Sequence, residues 1–243
     1  MSSQSTPQTD AEPNTTATTA GDRLLTVRGL ETMFRTEEGT VRAVDGVDLH
    51  LDHGEIVGLV GESGAGKSAT AESILRLIDS PGEIVDGTAD FDGRDVLSMS
   101  EAELREFRGT DASMVFQDPT GTLNPTMTVG KQVAEAVRSN DPSMAGDAVK
   151  QRSVEIMERV GIPTPTARYD EYPHQFSGGQ KQRIVFGIAI ASEPDLLVAD
   201  EPTPALRVAI QAQILDLLVE LREEFGMSVL FIAHDLGVVR EVC

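Results

Sequence analysis

Eight consecutive residues, Gly61-Glu62-Ser63-Gly64-Ala65-Gly66-Lys67-Ser68, carry the clearest chemistry in this chain. They match G-x-x-x-x-G-K-[ST], the phosphate-binding P-loop. Its glycines let the backbone curl until successive N–H groups point at phosphate oxygens. A helix starting there adds partial positive charge. Lys67 is expected to reach the β- and γ-phosphates of a nucleotide, and Ser68 to hold Mg2+. The flanks supply the context the motif needs. Residues 56–60 read as a buried strand and residues 69–77 as a helix. The plain structural alternative is a glycine-rich turn before a helix.

Asp195-Leu196-Leu197-Val198-Ala199-Asp200-Glu201 has the form of a second phosphate-site strand. Four apolar residues bury it, and two carboxylates emerge at its end. Asp200 would bind Mg2+ directly or through water, and Glu201 would orient the attacking water or take its proton. Taken alone, the run equally fits a core strand ending in solvated acids. Ser177-Gly178-Gly179-Gln180 opens a further predicted helix. Ser177 and Gln180 fit the S-x-x-Q capping pattern, and the two glycines bare the helix start to an anion. Both readings can hold together.

Around these segments the chain alternates short strands with helices, which predicts a largely parallel sheet with ligands at its strand C-termini. Residues 24–51 read as β pieces with a hairpin turn at 36–39 and a second turn at 52–54. Turn pairs at Pro81-Gly82, Asp86-Gly87 and Asp92-Gly93 predict further short β pieces. Ser100 and Glu103 fit a capping box. Helical patterns cover 128–160, broken near 140–142 and 146, then 178–191 and 209–225. Residues 113–117, 196–199 and 228–233 read as strands. Residues 1–22, rich in Thr, Ser, Gln and Pro, bury too little to offset their ordering and read as a disordered tail.

The 243 residues carry 20 basic and 40 acidic side chains, a formal charge of −20. Such a surface repels nucleic-acid phosphates, so no nucleic-acid partner is expected. A basic partner would fit it. So would solubility in high salt, and the four lysines, Lys67, Lys131, Lys150 and Lys181, point to a halophile. Cys243 is the single cysteine, which excludes an intrachain disulfide. Neither a membrane span nor a secretory signal is expected from the apolar runs. The expected location is the cytoplasmic face of the membrane, reached through a partner.

The order of these motifs resembles the nucleotide-binding subunits of ABC transporters, from about Leu24 onward. Ser177-Gly178-Gly179-Gln180 is specific to that family among P-loop proteins, although Phe176 stands where Leu is commoner. The resemblance implies an α/β fold over residues 23–243. It has a P-loop NTPase core with a mainly parallel sheet, an N-terminal antiparallel β subdomain and a helical subdomain inserted at about 120–192. It also implies ATP and Mg2+ as ligands. Phe34 matches the aromatic that stacks on adenine. Gln117 matches the glutamine that contacts Mg2+ or water and senses the permease. His234 matches the histidine at the γ-phosphate. Taken alone, Phe34 also fits a core residue, and His234 a helix cap. Two such domains would sandwich two ATP molecules, each P-loop facing the other domain's Ser177–Gln180 segment. The implied partners are membrane permeases, a second ATPase subunit and, indirectly, an extracytoplasmic substrate-binding protein. Tyr172-Pro173-His174-Gln175-Phe176, Leu123-Asn124-Pro125 and residues 208–214 resemble the ATPases of dipeptide, oligopeptide and nickel importers.

Two departures stand out. After Asp200-Glu201-Pro202-Thr203 the family continues with a small residue, Ala-Leu and Asp, but here Pro204-Ala205-Leu206-Arg207 follows. Arg207 reverses a charge at the expected contact between domains, so nucleotide binding should survive while closure and hydrolysis weaken. A regulatory or catalytically weak subunit is therefore the alternative reading. The final residues 236–243 look like the first turns of a helix cut short, so a C-terminally truncated domain is expected.

Overall fold

Alternating apolar residues early in the chain build a long hairpin in the computed structural model, which describes residues 23–37, 39–117, 119–202 and 208–242. β1 (Arg23–Thr36) and β2 (Gly39–Asp52) pair antiparallel. β3 (Ile56–Val60) then leads through the 61–66 loop into α1 (Lys67–Ile74). β4 (Gly82–Phe91), β5 (Arg94–Asp95), α2 (Glu101–Glu106) and β6 (Ala112–Val115) follow. A helical stretch comes next, with α3 (Pro119–Thr122), α4 (Val129–Asn140), α5 (Gly146–Arg159), α6 (Pro165–Arg168) and α7 (Gly178–Ala189). β7 (Leu196–Asp200), α8 (Val208–Phe225), β8 (Ser228–Ala233) and α9 (Leu236–Val242) complete the order.

The strands form two sheets. One is antiparallel in the order β2-β1-β4-β5, and the other is parallel in the order β3-β8-β7-β6. The α/β architecture expected from the sequence is therefore present. Every residue of β7 and β8 is buried, as their continuous apolar runs require. Their side chains divide by parity. Leu196, Val198, Leu230 and Ile232 join a core with Ile74 of α1 and Leu25, Leu30 and Phe91 of the antiparallel sheet. Leu197, Ala199, Val229 and Phe231 join a second core with Val133, Ile156, Phe186 and Leu218 of the helices. The parallel sheet is thus covered on both faces, and its strand ends open where the phosphate loop lies.

Two local expectations are corrected. Asp86-Gly87 is not a turn but an irregularity inside the continuous strand β4. Gly87 (φ +102) crosses β1 so closely that a Cβ would fall 2.5 Å from the Leu30 Cα, and the β1–β4 register shifts between Arg28 and Glu31. Pairing with β1 overrides the turn propensity of the dipeptide. α1 also ends at Ile74, three residues early, because Arg76 takes a left-handed φ of 49°. The capping box at Ser100 forms as expected: its Oγ accepts from Glu103 N, and Glu103 Oε2 accepts from Ser100 N at 2.7 Å. Residues 1–22, read as a tail, lie outside the described residues.

Phe107 is fully buried and meets Phe91 edge-on, with ring centroids 5.0 Å apart at 71°. This pair joins the segment after α2 to the antiparallel sheet. Phe107→Ala is expected to cost about 3–5 kcal/mol, read as a lowered urea midpoint with an unchanged slope.

Candidate active site

The loop between β3 and α1 places two glycines in the left-handed region, Gly64 at φ +81 and Gly66 at φ +86. At Gly66 the need is steric as well, because a Cβ would lie 2.0 Å from the Ala43 carbonyl oxygen of β2. No side chain caps α1 at Gly66, so the helix start faces the loop. Thr70 secures the first turn by donating to Gly66 O from both its N–H (2.8 Å) and its hydroxyl (2.9 Å). Lys67, only 7% exposed, donates from Nζ to the carbonyl oxygens of Gly61 and Glu62, both at 2.9 Å.

β7 delivers the two carboxylates, and it delivers them differently. Asp200 stays in the strand direction and is 4% exposed. Its Oδ1 is buried without a hydrogen-bond partner. Burial pushes its carboxyl above the ordinary range; the Ser68 hydroxyl opposes this, Glu201 adds to it, and Lys67 opposes it. Glu72 on α1 is likewise pushed up by burial and by Asp200 and Asp79. Glu201 turns away through a left-handed φ of 39° while its N–H bonds to Ile232 O at 3.0 Å. Its carboxylate then lies 3.7 Å from Lys67 Nζ, accepts from Gln117 Nε2 at 3.0 Å, and lies 3.5 Å from His234 Nδ1.

These residues fit a magnesium nucleotide. An orphaned, buried carboxylate oxygen beside a serine hydroxyl suits a hard cation. Among the described residues no group of three or more His, Cys, Asp and Glu side chains could hold a metal alone.

Five expected site residues thus converge: Lys67, Gln117, Asp200, Glu201 and His234, with Ser68 beside Asp200. Ser177–Gln180 stands apart at the start of α7, whose packing partners include α3, α4, α5, α8 and β6. There the capping reading is realised, since Gln180 N donates to Ser177 Oγ at 3.3 Å and Ser177 N to Gln180 Oε1 at 3.1 Å. Ser177 and Gly178 remain exposed.

A model of the family described as "ABC transporter" matches residues 44–204. The chain belongs to this family. An oligopeptide transport ATP-binding protein of Bacillus subtilis is 48% identical over 221 residues, which are 90% of this chain and 62% of that protein. A dipeptide transport ATP-binding protein of Lactococcus lactis is 44% identical over 220 residues, 90% of this chain and 63% of that protein. The chain spans less than two thirds of the length of these relatives. Among solved structures, a dimeric ATP-binding cassette in a post-hydrolysis state with ADP and Pi superposes with a TM-score of 0.79. It is 27% identical, over 90% of this chain and 91% of that one. A Clostridium perfringens component of an ABC transporter complex superposes at 0.77, with 26% identity over 91% and 82%.

Within this ABC transporter domain Phe34 is half-buried, with its ring edge against Gly82. Sequence reasoning missed its neighbour. Val41 lies directly across β1–β2 from Phe34 and is 54% exposed, two residues from the Ala43 that touches the loop. The signal for it was the strand register, which places cross-strand partners on one face. Pro204 and Arg207 lie outside the described residues.

The Asp200 shift has a stability consequence. The folded carboxyl keeps its proton to higher pH than the unfolded chain does. Stability therefore falls as pH rises through the window above the ordinary aspartate value, and stays lower beyond it; Glu72 acts with the same sign. Asp200→Asn is expected to raise the urea midpoint at pH 7 without Mg2+ and to flatten this decline. A midpoint equal to or below that of the wild type would contradict the assignment.

Proposed function

We propose that this chain is the ATP-binding and ATP-hydrolysing subunit of an ABC importer that drives uptake of peptides, or nickel-like cargo, through partner permeases. The observation that carries this reading is the Glu201 carboxylate, held among Lys67, Gln117 and His234 at the mouth of the phosphate loop. The names of the relatives, oligopeptide and dipeptide transport, support the cargo class. Among the described residues no helix is long and apolar enough to cross a membrane. Attachment at the cytoplasmic face through permeases fits that, with a substrate-binding protein supplying cargo from outside.

In this reading the loop amides and Lys67 hold the β- and γ-phosphates, and Ser68 and Asp200 hold Mg2+. Held there, Mg2+ would supply positive charge to the phosphate oxygens. Glu201 orients the attacking water and takes its proton, while His234 faces the γ-phosphate. Gln117 touches Glu201 and follows Phe116, which is 42% exposed; this segment would report the state of the site to a permease. Phe34 and Val41 offer the adenine an apolar wall. Two copies, or this chain and a related one, would pair so that Ser177–Gln180 of each meets nucleotide on the other. The dimeric cassette of similar fold supports that pairing.

Arg207 and Pro204 favour a second reading, in which the subunit binds ATP but hydrolyses it poorly. Mg-ATP turnover in concentrated KCl separates the two. The first reading expects measurable turnover that Glu201→Gln lowers by at least about 100-fold, with Arg207→Asp having little effect. Binding without turnover, restored by Arg207→Asp, would establish the second.

A further inference from the structure

Between α6 and α7 the chain displays two rings at its surface. Tyr172 is 40% exposed and His174 is exposed. Their rings stack, with centroids 5.9 Å apart and planes 15° from parallel. Large exposed apolar side chains are few among the described residues: Val41, Val85, Phe116, Tyr172 and Leu236.

The pair is held in place. Tyr172 N donates to Gln175 Oε1 at 2.7 Å, and Gln175 N returns a bond to Tyr172 O at 2.9 Å. Between them Pro173 is buried at the head of a single 3-10 turn. Arg168 donates to Gln175 O at 3.2 Å and covers the Phe176 ring at 4.0 Å from its centroid. Two rings fixed this way lose little freedom on meeting a planar ligand.

Their place in the chain says which ligand. His174 lies three residues and Tyr172 five residues before Ser177, spans of at most roughly 10 Å and roughly 17 Å of extended backbone. The 3-10 turn at Pro173–Gln175 shortens both, so the two rings lie within about a nucleotide's length of Ser177. A nucleotide whose terminal phosphate meets Ser177 would bring its ribose and base toward these rings. We propose that Tyr172 and His174 receive the base of the ATP seated on the partner copy's phosphate loop. The base is then closed between Phe34 and Val41 of one chain and the Tyr172–His174 stack of the other. This rests on the paired-subunit reading above. Stacking needs a π-face and reads no hydrogen-bond pattern, so the contact stabilises the closed pair for ATP and GTP alike.

The test compares the wild type, Tyr172→Phe and the double variant Tyr172→Ala/His174→Ala. Mg-ADP binding to the single chain should be the same in all three. The double variant should need about tenfold more Mg-ATP to form dimers in sedimentation and to reach half-maximal turnover, with kcat nearly unchanged, and Tyr172→Phe should behave as wild type. The chain has two tyrosines and no tryptophan, and Tyr169 is buried. Dimerisation with Mg-ATP should therefore quench tyrosine emission in the wild type, and Tyr172→Phe should remove that quench. Equal ATP requirements in the wild type and the double variant would overturn the proposal alone. An equal loss of Mg-ADP affinity would overturn it too, because the rings would then act within one chain. A wild type that binds no Mg-ATP would overturn the functional reading, and this one with it.

Discussion

A strand buried on both faces must end in two adjacent carboxylates, and the site is organised around that demand. β7 is buried along its whole length, so Asp200 enters the interior with an unpaired oxygen. Such a group is tolerated only beside compensating charge. The uncapped start of α1, Ser68 and Lys67 stand close enough to provide some of it, and a cation with phosphates would provide the rest. Glu201 escapes the same fate by a left-handed backbone turn, a conformation costing on the order of 1–2 kcal/mol for a residue with a Cβ. One peptide unit thus separates a buried acid with an unpaired oxygen from an acid turned toward Lys67, Gln117 and His234.

The same economy of local rules operates at Ser177. A capping box and an anion-facing helix start draw on the same amides, yet they use different ones. Gln180 N and Ser177 N are occupied within the box, while Gly178 between them stays exposed and Gly179 is buried. The cap fixes the direction of α7 without closing its end.

Much of this was legible in the sequence because its causes are local. The phosphate loop, both capping boxes, the break between α4 and α5 and the buried runs of β7 and β8 each declare themselves within a few residues. What was not legible depends on partners distant in sequence. Asp86-Gly87 reads as a turn until β1 is seen to hold it in a strand. Val41 reads as an ordinary strand residue until its register opposite Phe34 is known. Gln117 and Glu201 lie 84 positions apart, and nothing in either segment says that their side chains touch. Only the order of motifs along the chain hinted at it.

The order of the parallel sheet also bears on how the protein comes off the ribosome. β3, which carries the phosphate loop, lies at the end of the sheet, and its neighbour there is β8, with Val60 beside Ala233. The loop is therefore synthesised long before the strand that anchors it. Closing so long a stretch of chain is entropically slow, and until β8 arrives the apolar run of β3 has an open edge. A nascent chain that ends before β8 has made its phosphate loop but lacks the strand that pairs with β3.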